Sequence, residues 1–319
     1  SLGFIFATMV LPTIIFMSSL MSVLYHAGIM QKVVEALAKV MMKTMKTSGA
    51  ESLAAAANVF VGQTEAPLVI KPYVNGMTKS EILCLMTGGM ATVAGGVMAA
   101  YVGFGIDAGH LLAASVMSAP AAIVCAKLMV PETEISQTAG IIKTDLPKTS
   151  NNVVDAAAQG ASDGLKLAVN VAAMLLAFIA LIAMLNGLLG WMGSFVGFEK
   201  LSFELITGYL FSPVAWLMGC PWEDCLKVGA LLGKKLVLNE FVAYLDLKDL
   251  KGVISERSTM IATYALCGFS NFSSIAIQIG GIGSLAPDKR PVIVEMGIKS
   301  LIAGTSACLM TAAIAGMIA

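Results

Sequence analysis

An all-α polytopic membrane protein is the fold class this sequence predicts, organised as an inverted repeat of a re-entrant helical hairpin plus a broken transmembrane helix, with further spans around it. Three observations carry that expectation. The first is composition: 57% of the 319 residues are hydrophobic and 13% charged, against roughly 25% charged residues in a soluble domain, and the mean hydropathy is +0.84. The second is a set of charge-free windows, Ser1 to Tyr25, Ile82 to Ile106, Ala108 to Ala126, Leu167 to Phe198, Ser258 to Pro287 and Ser300 to Ala319. Each approaches or exceeds the ~20 residues that span a bilayer as a helix. The third is a pair of polar interruptions, Gly62-Gln63-Thr64-Glu65-Ala66-Pro67 and Asn239-Glu240-Phe241, set between apolar runs. A charged group at the bilayer centre costs roughly 3 kcal/mol even on lenient scales, so function is the default reading of such a carboxylate.

Taken in order, the chain opens on Ser1 inside an apolar run, with neither Met nor a cleavable signal pattern, and an N-terminal portion is expected to be missing. Lysines then collect in loops at alternate ends of the spans. Lys32, Lys39, Lys43 and Lys46 follow the first, Lys71 and Lys79 precede the second, and Lys127, Lys143, Lys148 and Lys166 follow the third. With these loops cytoplasmic, the positive-inside rule gives one self-consistent topology. The segment Glu51 to Lys71 then enters and leaves on the same side. From Glu51 to Gly62 a helix rises roughly 16 Å, about half the hydrocarbon core, which makes 49–75 a re-entrant hairpin with Gly62 to Glu65 at its tip. Pro67 sits where proline is tolerated, in the first turn of the returning half-helix. The apolar stretch Leu205 to Trp222 contains Pro213, Tyr209, Trp216 and Trp222 and suits an interfacial helix about as well as a span. A second hairpin starts at Pro221, Glu223 and Asp224, is interrupted at Glu240, and exits through Asp246 to Lys251.

The two hairpins share a register. Glu240 lies 175 residues after Glu65, and Ser255-Glu256 lies 175 residues after Ser80-Glu81. Each hairpin precedes a span rich in small or polar residues, Thr87-Gly88-Gly89 and Ala94-Gly95-Gly96 in one, Cys267 to Ser274 in the other. Inverted repeats with interrupted segments at matching positions point to a secondary transporter with a midplane site.

Composition also excludes classes. Net charge is zero and no basic run tracks a phosphate backbone, so nucleic acid is not an expected partner. The six cysteines form no CxxC pair and read as small packing residues; His26 and His110 stand alone, without HExxH. Either carboxylate alone reads equally as a helix-end residue reaching headgroups, whereas the matched pair favours a function. Asn271 and Ser274, taken alone, read as interhelical glue, the glycines around Gly88 and Gly95 as close helix packing, and Lys234-Lys235 as snorkelling or facing a crevice. Two carboxylates allow a hydrolase in principle, but no nucleophile or metal motif accompanies them; a channel would call for a selectivity ring in a continuous pore.

At Gly62-Gln63-Thr64-Glu65-Ala66-Pro67, Asn239-Glu240-Phe241 and Gly268-Phe269-Ser270-Asn271-Phe272-Ser273-Ser274 the chain resembles the concentrative nucleoside transporters, with likeness from Leu11-Pro12-Thr13 through the tail. The resemblance implies a homotrimer embedded in membrane lipid, at least two further upstream spans, and a transport domain moving against a scaffold. Residues 1–48 would hold a scaffold helix and an interfacial segment. Residues 49–130 would form the first transport repeat (hairpin 49–75, broken helix 80–106, helix 108–130). Residues 131–220 would supply a loop, a scaffold helix at 160–198 and an interfacial helix at 204–219. Residues 221–319 would form the second repeat (hairpin 221–250, broken helix 253–285, helix 288–319).

Carried over position by position, Gln63, Thr64 and Glu65 would address the nucleobase with Val97 packed on it, Glu240, Asn271 and Ser274 would hold the ribose hydroxyls, and Phe269 would touch the nucleoside. The chemistry agrees, since an ionised carboxylate accepts strongly from vicinal hydroxyls and an amide matches a mixed base edge. The coupling sodium ion would fall on the side-chain oxygens of Asn58 and Thr92 and the carbonyls of Val61 and Val93, a hard-cation ligand set. Some relatives are proton-driven, which is the alternative; no organic cofactor and no enzymatic activity are expected, and the bacterial inner membrane is the expected location. One sodium ion moving down 100 mV and a tenfold gradient supplies about 3.7 kcal/mol.

Overall fold

The structure is a computed structural model that describes residues 6–139, 150–195, 197–198 and 201–318. The first few residues of the expected first span, and Lys143 and Lys148, lie outside the described residues. Helix α1 (Phe6–His26) ends at Gly28, whose φ of +77° turns the chain into α2 (Ile29–Met45). The two axes meet at 78°. Helix α2 is amphipathic, burying Met30, Val34, Ala38 and Met41 at helical spacing while its lysines stay on the other face, the pattern of a helix lying in an interface.

The first hairpin begins at α3 (Gly49–Asn58), started by a capping box in which the Ser48 hydroxyl accepts from Glu51 N and the Glu51 carboxylate accepts from Ser48 N. Every residue of α3 is buried. The returning arm differs from the single half-helix expected, being two short pieces, α4 (Ala66–Val69) and α5 (Lys71–Val74), joined at Ile70. Pro72 explains the division, because it has no N–H to offer the Leu68 carbonyl.

Helix α6 (Lys79–Ala91) opens with a second capping box, Thr78 with Glu81, and stops where Thr92 and Ala94 become extended; α7 (Gly95–Gly103) resumes the span. Helix α8 (Ala108–Met129) is capped by Asp107. Helix α9 (Val153–Ser194) starts before the expected position 160, since Asn152 caps it through Asp155 N, and ends before position 198. Helix α10 (Phe203–Leu217) runs through Pro213, and after Gly219 (φ +99°) the chain turns into α11 (Trp222–Val237) at 118°. Helix α12 (Glu240–Leu250) is capped by Asn239, α13 (Glu256–Leu266) by Ser255, and α14 (Phe272–Leu285) by Asn271. A 3-10 turn (Pro287–Lys289) leads into α15 (Arg290–Ile318).

Four helical segments among the described residues are long and apolar enough to cross a bilayer: Lys79–Gly103, Ala108–Met129, Val153–Ser194 and Pro287–Ile318. Small residues let them approach closely, the usual device of membrane helices. A Cβ on Gly160 or Gly164 of α9 would meet α1 at 2.6 and 2.8 Å, and one on Gly233 of α11 would meet Thr207 of α10 at 2.2 Å.

Loop 130–139 straps the base of the first repeat. Thr138 accepts from Gly49 N (2.9 Å) and, through its hydroxyl, from Ala50 N (3.2 Å), while Glu132 accepts from the Thr78 hydroxyl at 2.8 Å. Lys127 of α8 pairs with buried Glu51. The half-exposed Glu132 carboxyl is raised by burial but lowered more by the hydrogen bonds from Thr78 and Glu134 N and the charge of Lys127, and ends below its ordinary range.

A direct test of the packing is Gly304→Ala, whose new Cβ would stand 2.4 Å from Met90 Cβ across the α15–α6 contact. Overpacking of this kind costs about 1–3 kcal/mol, so the detergent-solubilised variant should melt several degrees lower. Gly280→Ala, with nothing within 4 Å of its Cβ inside α14, should melt no lower than the parent, because Ala is the better helix former.

Candidate functional site

Both broken spans and both hairpin tips converge on one polar network. At the second tip Glu240 is buried and accepts from two donors, the Tyr101 hydroxyl of α7 on Oε1 (3.1 Å) and Asn271 Nδ2 on Oε2 (3.1 Å). Asn271 is there because it caps α14: its Oδ1 accepts from Ser274 N (3.0 Å) and from the Ser273 hydroxyl (2.7 Å), which leaves the amide nitrogen aimed at the carboxylate. Ser274 Oγ then accepts from Gln63 Nε2 of the first tip at 3.1 Å, and Gln63 Oε1 accepts from Gln278 Nε2 at 3.1 Å. Gln278 also donates to the Met86 carbonyl of α6 at 3.0 Å. The chain Tyr101, Glu240, Asn271, Ser274, Gln63, Gln278 therefore joins the two repeats without interruption. Its members are at most 8% exposed, so each unmet partner would cost about 1–3 kcal/mol.

The backbone breaks are coupled as well. Phe269 N donates to the Thr92 carbonyl at 3.2 Å, and Gly95 N donates to the Phe60 carbonyl at 3.0 Å. Gly88 and Gly89 make room for the first tip, since Cβ atoms there would stand 2.9 Å from Asn58 Nδ2 and from Gln63 Cβ respectively.

Of the residues predicted from sequence, Gln63, Glu240, Asn271 and Ser274 are brought into this network. Val97 is buried beside it, and Phe269 is half-buried against the same apolar cluster. Thr64 and Glu65 are exposed at the first tip, outside the network. Asn58 is 1% exposed and both its amide atoms lack a hydrogen-bond partner. It lies against Gly88, whose carbonyl accepts from the Thr92 hydroxyl at 2.9 Å. Val93 is buried and Val61 half-buried. An orphaned amide oxygen beside a broken helix end is chemistry that fits a hard cation.

Sequence reasoning missed Tyr101 and Gln278. Gln278 carried a signal, an amide inside the charge-free window Ser258 to Pro287; Tyr101 carried none, because a tyrosine in an apolar span reads as packing. It does pack, stacked on Tyr244 with centroids 4.2 Å apart and edge-on to Phe241 at 5.5 Å. A cavity of about 690 Å³ lies elsewhere, beneath loop 130–139 and lined by Ser48, Glu51, Lys127 and Glu132.

Two interrupted hairpins and two interrupted spans, related by an inverted repeat and meeting at a buried polar centre, define a secondary membrane transporter. Residues 110–316 match the family described as Na+ dependent nucleoside transporter C-terminus, and residues 7–108 match the one described as Gate, nucleoside recognition. The chain is 52% identical to the uncharacterized transporter YutK of Bacillus subtilis, over 98% of this chain and 78% of that one. It is 46% identical to sodium/nucleoside cotransporter 1 of Mus musculus over 98% of this chain, spanning 51% of that relative. Among solved structures, CNTnw in an inward-facing substrate-bound state superposes with a TM-score of 0.93 at 47% identity, over 99% of this chain and 75% of CNTnw. A CNTnw variant in an outward-facing state gives 0.94 at 46% identity, with 99% and 75% covered. The chain belongs to the concentrative nucleoside transporter family, an integral membrane family of nucleoside transporters rather than enzymes.

Tyr101→Phe removes one donor to Glu240 and leaves the ring in place. A hydrogen bond in a buried network contributes about 0.5–1.5 kcal/mol, so the detergent-solubilised variant should melt a few degrees below the parent. An unchanged melting temperature would mean that the carboxylate does not need that donor.

Proposed function

We propose that the protein is a sodium-coupled nucleoside symporter that imports nucleosides by alternating access, with its site at mid-membrane between the two hairpin tips. The observation that carries this reading is the buried network from Glu240 through Asn271 and Ser274 to Gln63. It gathers a carboxylate, two amides and a hydroxyl in an apolar body, where nothing but a polar ligand or each other can satisfy them.

In this reading Glu240, Asn271 and Ser274 take the ribose hydroxyls. Glu240 accepts from a vicinal pair, and Asn271, held by its capping bonds, donates. Gln63 addresses the base edge together with Thr64 and Glu65, which reach it from the tip; Val97 packs on the base and Phe269 lines the ring. A site built to pair hydroxyls rejects analogues lacking them, because its own groups are then left unpaired. The sodium ion binds the side-chain oxygens of Asn58 and Thr92 with the carbonyls of Val61 and Val93. Supporting this are the partnerless Asn58 amide and the wording of the matched family. Binding there orders the first tip, so that Gln63 and Glu65 become competent for nucleoside.

The repeats at 49–130 and 221–319 form the transport domain and the remaining helices the scaffold. Inward- and outward-facing states of CNTnw support such a motion. Helix α9 exposes Leu165, Val169, Leu176, Ile179, Met184 and Leu188, a surface suited to lipid and to the neighbouring copies of a homotrimer. The bacterial relatives favour the inner membrane.

Labelled uridine and adenosine in proteoliposomes test the whole reading. A sodium gradient should drive accumulation, which falls to simple equilibration when an impermeant organic cation replaces sodium. Equal accumulation under a proton gradient without sodium would establish proton coupling instead, and equilibration under every condition would establish a channel or uniporter. In the same assay Glu240→Gln should weaken uridine far more than 2′,3′-dideoxyuridine; equal losses would sink the ribose assignment.

A further inference from the structure

Lys235 is a charge inside the body of the protein that the nucleoside and sodium sites leave unused. It lies in the last turn of α11 at 3% exposure, and its ammonium donates to the Ala265 carbonyl at 2.8 Å. Helix α13 stops at Leu266, so this carbonyl is one of the four that the helix end leaves without an intrahelical donor. Thr263 O in the same turn takes the Tyr244 hydroxyl at 2.7 Å. The ammonium is also within electrostatic reach of Glu240.

The repeat register gives this position its meaning. Helix α13 ends 175 residues after Ala91, the end of α6, and Cys267 and Gly268 stand 175 residues after Thr92 and Val93. The second break is thus the counterpart of the first, with the same half-helix carbonyl end carrying about half a negative charge. At the first break Asn58 and Thr92 offer hard oxygens. Their counterparts in the second repeat, Gly233 and Cys267, offer no such side-chain oxygen, and two residues beyond Gly233 stands a lysine. A buried ammonium is costly unless its charge is balanced; here the α13 carbonyl end accepts one of its protons and the Glu240 carboxylate lies within its field.

We propose that Lys235 is a tethered cation of the transport machinery, standing at the carbonyl end of the second half-helix as a diffusible cation stands at the end of the first. Each nucleoside is then accompanied by one exchangeable cation and not two. The count of exchangeable ions rests on the sodium-coupled reading, whereas the fixed positive charge at the α13 end and Glu240 does not.

Lys235→Gln keeps a donor for Ala265 and removes the charge, and Lys235→Arg keeps the charge. Uridine binding to the three purified full-length proteins would be titrated at several sodium concentrations, with choline holding ionic strength constant. Parent and Arg variant should agree, while the Gln variant should bind about tenfold more weakly. Its affinity should climb more steeply with sodium, as a second ion enters the vacated place. Equal affinity in parent and Gln variant overturns the proposal, and so do equal losses in the Gln and Arg variants. A Gln variant that does not fold leaves a measurement on the parent: the reversal potential in proteoliposomes should give one positive charge per uridine, and two overturn the proposal. A parent indifferent to sodium, with the tenfold loss confined to the Gln variant, refutes sodium coupling while upholding the fixed charge.

Discussion

A backbone amide or carbonyl without a partner costs several kcal/mol in hydrocarbon, and this molecule interrupts its helices repeatedly inside that medium. Everything at its centre follows from how those groups are answered. Val59 O takes the Ser115 hydroxyl, Gly88 O the Thr92 hydroxyl, Thr92 O the Phe269 amide, and Thr263 O the Tyr244 hydroxyl. The side chains recruited for the task then become the site. Asn271 is the clearest case, because its oxygen caps α14 and its nitrogen is left to face Glu240. A structural obligation at a helix start has been turned into an oriented donor.

The same economy governs the glycines. In the sequence, the run around Gly88 and Gly95 reads as close packing. In the structure, its sharper role is to admit particular side chains: without a Cβ at positions 88 and 89, Asn58 and Gln63 of the first tip can sit directly on α6. Size at these positions controls whether the hairpin tip reaches the broken span at all.

The hairpins and breaks were legible because charge and amide groups are conspicuous in apolar windows and because two of them recur at one register. Boundaries were less so. The returning arm of the first hairpin divides at Ile70 because Pro72 acts locally, and α9 starts at Val153 because the Asn152 cap outweighs the more polar composition before position 160. Partner identity was illegible wherever it depends on three-dimensional neighbours. Tyr101 meets Glu240 across 139 positions, and Lys234, given no role from sequence, pairs with Glu204 of α10 at 2.8 Å as well as Asp246 of α12. The site assignments came from the motif resemblance. The structure gathers four of the nucleoside set into one network and leaves Thr64 and Glu65 on the exposed side of the tip.

The bond from Phe269 N to Thr92 O crosses from one repeat to the other at the two breaks. Sliding one repeat past its mate by a single residue would strand donor and acceptor together. Were the repeats separate polypeptides, that pairing would depend on their encounter in the plane of the membrane. Carried on one chain, it becomes an intramolecular event at an effective concentration of order millimolar, so the central joint forms independently of how much protein the membrane holds.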